Sequence, residues 1–189
     1  MSITIGSSTI TGLATGGLTD GIVNSTTLAS GAVTAAKMAP GYILNSTFID
    51  SHSSGTAVNS TSDVDVTSVT YTPVSTSSTI FVWVHANMWY GSTNSANGGD
   101  AYGKLQVMGG SYASRTEFYT NGRWAGNYTG SGSKYKHTHF NSYGQFTNSD
   151  TSTKTIYLVG WLALAQPTPV YFGSDSGGQL GFYIEEISR

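Results

Sequence analysis

From about Thr61 onward the sequence reads as a series of strands, several with apolar residues at every second position, the period of a strand with one buried face. In Ile80 to Tyr90, the side chains of Ile80, Val82, Val84, Ala86 and Met88 fall on one face, and Phe81, Trp83, His85, Asn87 and Trp89 on the other. The first face is core. The second is amphipathic, and its two tryptophans call for a second layer or a neighbouring subunit. Asp63 to Thr72 alternates at Val64 and Val66, then resumes one step out of phase at Val69 and Tyr71, as a β-bulge reads in sequence; Pro73 ends the strand. Further strands are predicted at Lys104 to Met108, Tyr135 to Phe140, Gly144 to Phe146, Lys154 to Ala165, Val170 to Phe172 and Leu180 to Ile187. Lys154 to Ala165 is apolar on both faces, the pattern of a central strand covered on each side. Gly-rich turns at Asn97 to Gly99, Gly109-Gly110, Gly130 to Gly132 and Gly177-Gly178 separate these segments. Asn121-Gly122 carries a two-residue hairpin signal, since a type I′ turn needs positive φ twice. About eight short strands without a long helix predict an all-β fold, an antiparallel β-sandwich of jelly-roll-like type.

Residues 1–45 read differently. They contain no Trp and many small residues, too little apolar surface to offset their own ordering. A short repeat runs through them, Gly21-Ile-Val followed by Leu28-Ala29, then Gly31-Ala-Val followed by Met38-Ala39. Units this small are stabilised by docking on neighbours. The expected organisation is an extended N-terminal anchoring and trimerisation arm over 1–45, a linker over 46–60 and the sandwich over 61–189. In the arm, Ile3, Ile5, Ile10, Leu13, Leu18, Ile22, Val23, Leu28, Val33 and Met38 are the apolar positions available for an anchor or a trimer interface.

Composition narrows the function. Eight Lys and Arg against ten Asp and Glu leave a net charge of -2, with no field to gather nucleic acid or anionic lipid. There are no cysteines, so disulfides, thiolate metal sites and thiol nucleophiles are excluded. The start of the chain lacks a basic and apolar leader, and the longest apolar run, Ile156 to Ala165, is about half of what a membrane-spanning helix needs. Neither a signal peptide nor membrane insertion is expected.

Candidate chemistry is sparse. His137 and His139 stand two apart on a predicted strand; around a threefold axis the pair would become six imidazoles, an octahedral site, while as a single pair it is an exposed polar strand. Asp63 and Asp65 fit a solvated outer face, and Glu185 and Glu186 point to opposite faces, so neither pair makes an acid/base couple. No nucleophile elbow, phosphate loop or zincin motif is present, and neither catalysis nor a cofactor is expected. Aromatics beside predicted turns offer a sugar-binding possibility: Trp89, Tyr90, Tyr102, Tyr112, Trp124 and Tyr128, with Asp100 as a polar partner. The competing reading is that these rings cover sheet edges or pack between subunits.

The segment Leu28-Ala-Ser-Gly-Ala-Val-Thr-Ala-Ala-Lys-Met-Ala39 resembles the Gly-x-Val-Thr-x-x-Lys-Leu-Ala units of bacteriophage fibre stems, with Met38 in place of the usual Leu. Val69 to Val82 and Phe182 to Ile187 are similar to the terminal domains of tail-fibre, spike and capsid-decoration proteins of tailed bacteriophages. This resemblance implies a virion protein without enzymatic activity, a homotrimer joined through its arm to the tail or major capsid protein, made in the host cytoplasm. Two roles follow from it. One is a fibre or spike adhering to host-surface glycan, and the other is a capsid decoration or cement protein; a carbohydrate-binding module is a third possibility.

Overall fold

The computed structural model describes residues 40–51, 56–92, 101–121, 134–162, 170–173 and 180–189, with side chains at all of these except 88–92, 120–121 and 134–140. All described residues belong to the unit Met38–Arg189. The expected arm positions from Ile3 to Met38, the Asn121-Gly122 hairpin tip and the other Gly-rich turns except Gly109-Gly110 lie outside or at the edge of the described residues.

The described part is all-β, in antiparallel sheets. Its strands are β1 (Ile43–Asp50), β2 (Thr56–Val58), β3 (Val64–Tyr71), β4 (Ser78–Ser92), β5 (Ala101–Gly109), β6 (Tyr112–Asn121), β7 (Lys134–Asn148), β8 (Lys154–Leu162), β9 (Val170–Phe172) and β10 (Leu180–Ser188). One sheet runs β1-β10-β4-β7, with β9 and β2 continuing it beside the end of β4; the other runs β3-β8-β5-β6. The eight long strands nest. The first pairs with the last (β1 with β10), the second with the one before last (β3 with β8), then β4 with β7 and β5 with β6.

Both sheets contribute to one core. Ile80, Val82, Val84, Phe182 and Ile184 come from the first sheet, and Val66, Val69, Leu105, Ile156 and Leu158 from the second. The alternation in Ile80 to Ala86 is realised on this face. So is the slip in β3: the register shifts between Asp65 and Thr67, which lets Val66, Val69 and Tyr71 all be buried despite their unequal spacing. The sheets also approach where β7 meets β6. There Gly144 has no Cβ, and one built on it would stand 2.7 Å from the Tyr119 Cβ.

Several expectations need correction. Residues 43–50 and 56–58, expected at the end of the arm and in the linker, are strands β1 and β2 of the first sheet. Their pattern hid them, because β1 has adjacent apolar residues at Ile43-Leu44 and Phe48-Ile49 instead of a clean alternation. Tyr135 to Phe140 and Gly144 to Phe146, expected as two strands, are one, β7, paired with β4 without interruption from Ser92↔Lys134 to Ser78↔Asn148. Of the strand predicted over Lys154 to Ala165, Lys154–Leu162 is β8, interior between β3 and β5 as expected, and 163–165 lie outside the described residues.

Two buried polar groups hold the loops. Glu186 is fully buried and its carboxylate accepts four hydrogen bonds, from Tyr71 Oη (2.9 Å), the amides of Val74 (2.8 Å) and Ser75 (2.9 Å) and Ser78 Oγ (2.7 Å). It thereby ties the β3–β4 connection to β10. Lys154, also fully buried, places Nζ 2.6 Å from Asp150 Oδ1 and 3.0 Å from the carbonyl of Ser152, beside the β5–β6 turn. That turn is made by Gly109 (φ 111) and Gly110 (φ 59), conformations that side chains other than Gly rarely adopt.

Candidate functional site

The outer face of β1-β10-β4-β7 carries a feature that no single segment contains. Phe48 of β1 stands opposite Tyr183 of β10, Tyr183 opposite Trp83 of β4, and Trp83 opposite Tyr143 of β7. Four aromatic residues thus form one row across four neighbouring strands. Phe48 is 63% exposed, Tyr143 64% and Tyr183 37%, while Trp83 is half-buried between them. The Trp83 and Tyr183 rings are 5.5 Å apart; Trp83 also stacks on Phe81 at 5.8 Å and Tyr143 on Tyr119 at 6.3 Å. Trp83, Tyr183 and Tyr143 each lean on another ring, and the Phe48 ring lies against the backbone of Gly181, contacts that leave their outer sides uncovered.

Polar rows flank the aromatic one. On one side Asp50, Gly181, His85 and Asn141 are in register; on the other stand Ser46, Glu185, Phe81 and Gln145. His85 Nδ1 lies 2.6 Å from Asn141 Oδ1, a hydrogen bond that orients the ring. Tyr183 Oη donates to Glu185 Oε1 at 2.7 Å, and this bond raises the Tyr183 hydroxyl above the ordinary tyrosine range. Between the aromatic row and the His85 row runs a groove of about 190 Å³ lined by Phe48, Trp83, His85, Asn141, Tyr143 and Tyr183 among others. Gly181 opens it. A Cβ at that position would be 2.6 Å from the Phe48 ring, which now lies over the bare backbone.

The outer face of the other sheet is closed by its own side chains. Arg115 makes a bidentate pair with Asp65 at 2.6 Å for both bonds, and its guanidinium lies 3.9 Å from the Tyr157 ring centroid. The hydrogen bond from Arg115 keeps the Asp65 carboxyl below the usual carboxylate range. Lys104 reaches Asp63 at 2.6 Å and Glu117 at 3.6 Å and lies over Trp161, on which Tyr102 stacks at 5.6 Å. Hence the outer side of β8 is covered by neighbouring side chains of its own sheet, and Val159 on that side is buried.

Of the candidate sugar-binding residues, Tyr102 lies in strand β5 rather than a loop and is engaged with Trp161. Tyr112 is also engaged: its hydroxyl donates to the Thr147 carbonyl at 2.5 Å and its ring meets Phe146 edge-on. That corresponds to the packing reading of these two rings. The backbones of Trp89 and Tyr90 lie in β4, opposite His137 and Lys136 of β7. Asp100, Trp124 and Tyr128 lie outside the described residues. His137 and His139 are register partners of Trp89 and Asn87. Among the described side chains, no three His, Asp or Glu residues group as metal ligands. The sequence reading missed Phe48, Tyr143 and Tyr183 as site residues; Trp83 it had already turned outward, and the odd-numbered positions of Phe182 to Ile187 carried the matching signal for Tyr183 and Glu185.

No family model matches the chain, and no curated protein matches it either.

Proposed function

We propose that the chain is a non-enzymatic virion surface protein of a tailed bacteriophage, a homotrimeric fibre or spike attached through its N-terminal arm, whose outer face on β1-β10-β4-β7 adheres to host-surface glycan. The observation that carries the adhesion reading is the exposed row Phe48–Tyr183–Trp83–Tyr143. A contiguous aromatic surface bordered by hydrogen-bonding groups is what the C–H faces and hydroxyl edges of a sugar require, and such a surface on a soluble domain implies a ligand or partner. We further propose that the two sheets face one another as a jelly-roll sandwich. Its support is the nesting of strand pairs, first with last through fourth with fifth, which is the order obtained by rolling up one long hairpin, together with the shared core.

Two observations speak for binding rather than hydrolysis. The acids bordering the row, Asp50 and Glu185, belong to register positions four residues apart on β10, about 14 Å along the strand. Glycosidase carboxyl pairs lie about 5 to 9.5 Å apart. The other acids of the described sheet faces, Asp63, Asp65 and Glu117, are engaged with Lys104 or Arg115.

Trimerisation fits a weak, shallow site, because three copies on one fibre raise avidity towards a repetitive surface by effective concentration. The testing experiment is attachment of particles to host cells with wild-type chain and with Trp83→Ala. Loss of attachment with unchanged particle assembly is expected; undiminished attachment would refute adhesion through this face. Counting copies per particle separates this reading from the capsid-decoration role, for which hundreds of copies are expected.

A further inference from the structure

Resting on the glycan reading of the aromatic row, we infer that the ligand is a neutral, equatorially linked oligosaccharide of about three pyranose rings that lies across the strands along the row. Direction and length follow from the sheet. Residues paired on adjacent strands stand about 4.8 Å apart, close to the advance of a β-1,4-linked pyranose chain per ring. Successive rings of such a chain would therefore meet successive members of the row. The twist of about 20 to 25° per strand turns Phe48 well away from Tyr143, so a straight chain leaves the row after about three rings.

Linkage follows from the same surface. In a β-linked hexopyranose with equatorial substituents, both ring faces carry axial C–H bonds. A chain that flips at every linkage still lays an apolar face on each aromatic ring. An axial linkage bends the chain and lifts it from a row that runs straight across the strands. The hydroxyls of the flat chain project sideways, towards the polar rows two residues to either side, Glu185 and Gln145 in one direction and His85–Asn141 in the other. Carboxylate, amide and imidazole groups are suited to hydroxyl pairs.

Charge excludes the acidic sugars. The row is bordered by two carboxylates, Asp50 and Glu185. Of the described cations, Lys104 and Arg115 are paired with acids of the other sheet, Lys154 is buried beside Asp150, and Arg189 is bonded at 3.3 Å to Thr147, which stands about 14 Å along β7 from Tyr143. Lys136 lies seven positions from Tyr143 in the other direction. A uronate or phosphorylated sugar on the row would meet like charge, with no compensating cation on the row among the described side chains.

The test is calorimetric titration of the full-length protein with cellotriose, chitotriose, maltotriose and trigalacturonate, alongside its oligomeric state by light scattering. Cellotriose or chitotriose should bind with a Kd at about the millimolar level or below, and maltotriose and trigalacturonate about tenfold or more weakly. Trp83→Ala should weaken the preferred sugar about tenfold or more, Trp83→Phe should restore part of it, and Tyr102→Ala on the other sheet should leave it unchanged. Urea unfolding of each variant verifies that it is folded. Trigalacturonate bound as tightly as cellotriose, and lost in Trp83→Ala, would overturn the neutral class while preserving the row as a glycan site. Maltotriose bound as tightly would overturn the linkage in the same way. Absence of all sugar binding together with self-association abolished by Trp83→Ala would overturn both readings and make the row a contact between copies. Absence of both would overturn both readings as well.

Discussion

Removing the Glu186 carboxylate should cost this protein a large share of its stability, although the residue is remote from the aromatic row. Glu186→Ala deprives four donors of their acceptor at once: Tyr71 Oη, the amides of Val74 and Ser75, and Ser78 Oγ. The four are not equal. Val74 is 54% exposed, so its loop can re-solvate the two amides by a small movement. Tyr71 and Ser78 are buried at 4% and 0% exposure and have no such recourse. An orphaned buried donor costs about 1–3 kcal/mol. Counting the two deep donors in full and the loop amides in part gives a loss of about 3–5 kcal/mol, against a typical total of about 5–15.

Urea unfolding reads this as a midpoint lowered by roughly 2 M at an m-value of about 2 kcal/mol/M. Glu186→Gln keeps one acceptor oxygen but turns an NH2 towards donors; Ser78 can rotate to accept, and the loss should be about half as large. Tyr71→Phe removes one bond and leaves Asn45 Nδ2, now 3.3 Å from the hydroxyl, without that acceptor; about 1–2 kcal/mol is expected. In a double-mutant cycle the Tyr71→Phe and Glu186→Gln effects should couple by about 0.5 kcal/mol or more. A Glu186→Ala variant destabilised by less than about 1 kcal/mol, or a cycle without coupling, would refute the account of the carboxylate as the clamp between β10 and the β3–β4 loop.

Further outcomes follow from other groups. Burial first, and then the bond to Glu186, hold the Tyr71 hydroxyl far above its ordinary value of 10.0, so the stability it confers is whole below that pH and is lost as pH rises beyond it; absorbance at 295 nm should show one tyrosine ionising only with unfolding, and Tyr71→Phe should remove that step. Lys154 foremost, with the amides of Ser111 and Ser152, holds Asp150 well below the usual carboxylate range, so its contribution is present above pH 3.8 and lost as pH falls below it; Asp150→Asn should flatten acid unfolding in that window and leave Lys154 buried without its counter-charge. Gly181→Ala would displace the exposed Phe48 ring, costing under about 1 kcal/mol of stability by urea melt while weakening sugar binding measurably. Gly109→Ala, by contrast, faces a φ of 111 and a backbone carbonyl at 2.6 Å, and should lose about 1–3 kcal/mol in the same melt.

Legibility in the sequence tracked the range of the interaction involved. The core face Ile80 to Ala86, the bulge before Val69 and the interior position of Lys154 to Leu162 could be read because each is a property of a single segment and its period. β1 escaped because its inner face is Asn45, Thr47 and Ile49, only half-buried, and its outer face carries Phe48; the burial contrast that makes a strand visible is weak there. That Glu185 and Glu186 point to opposite faces was legible from the strand period, but nothing local announced that Glu186 is the buried one or that four donors from the β3–β4 region would converge on it. The aromatic row was illegible for a stronger reason. Residues 48, 83, 143 and 183 meet only through three long-range registers, and a one-residue slip in any of them would scatter the rings between the two faces. Of the rings chosen for their nearness to Gly-rich turns, Tyr102 stacks on Trp161 of the neighbouring strand β8, and Tyr112 meets Phe146 and Thr147 of β7 in the other sheet.

The two outer faces meet the same shortage of charge in opposite ways, and the difference is informative. A chain with only 10% charged residues has few ions to spread. On β3-β8-β5-β6 it gathers Asp63, Asp65, Lys104, Arg115 and Glu117 into pairs that lie over Tyr157 and Trp161, so those rings are shielded by long polar side chains whose stems cover apolar surface. On β1-β10-β4-β7 no described ion pair crosses the rings, and Phe48 and Tyr143 remain almost two-thirds exposed. Cross-strand aromatic pairs are worth about 0.2–1 kcal/mol each, which core residues such as Phe172 or Phe182 exceed severalfold. Folding alone therefore gives little reason to hold four rings in register on a wet face. Since the same chain covers Tyr157 and Trp161 with ions, the uncovered row supports the proposal that this face is the one that binds a ligand.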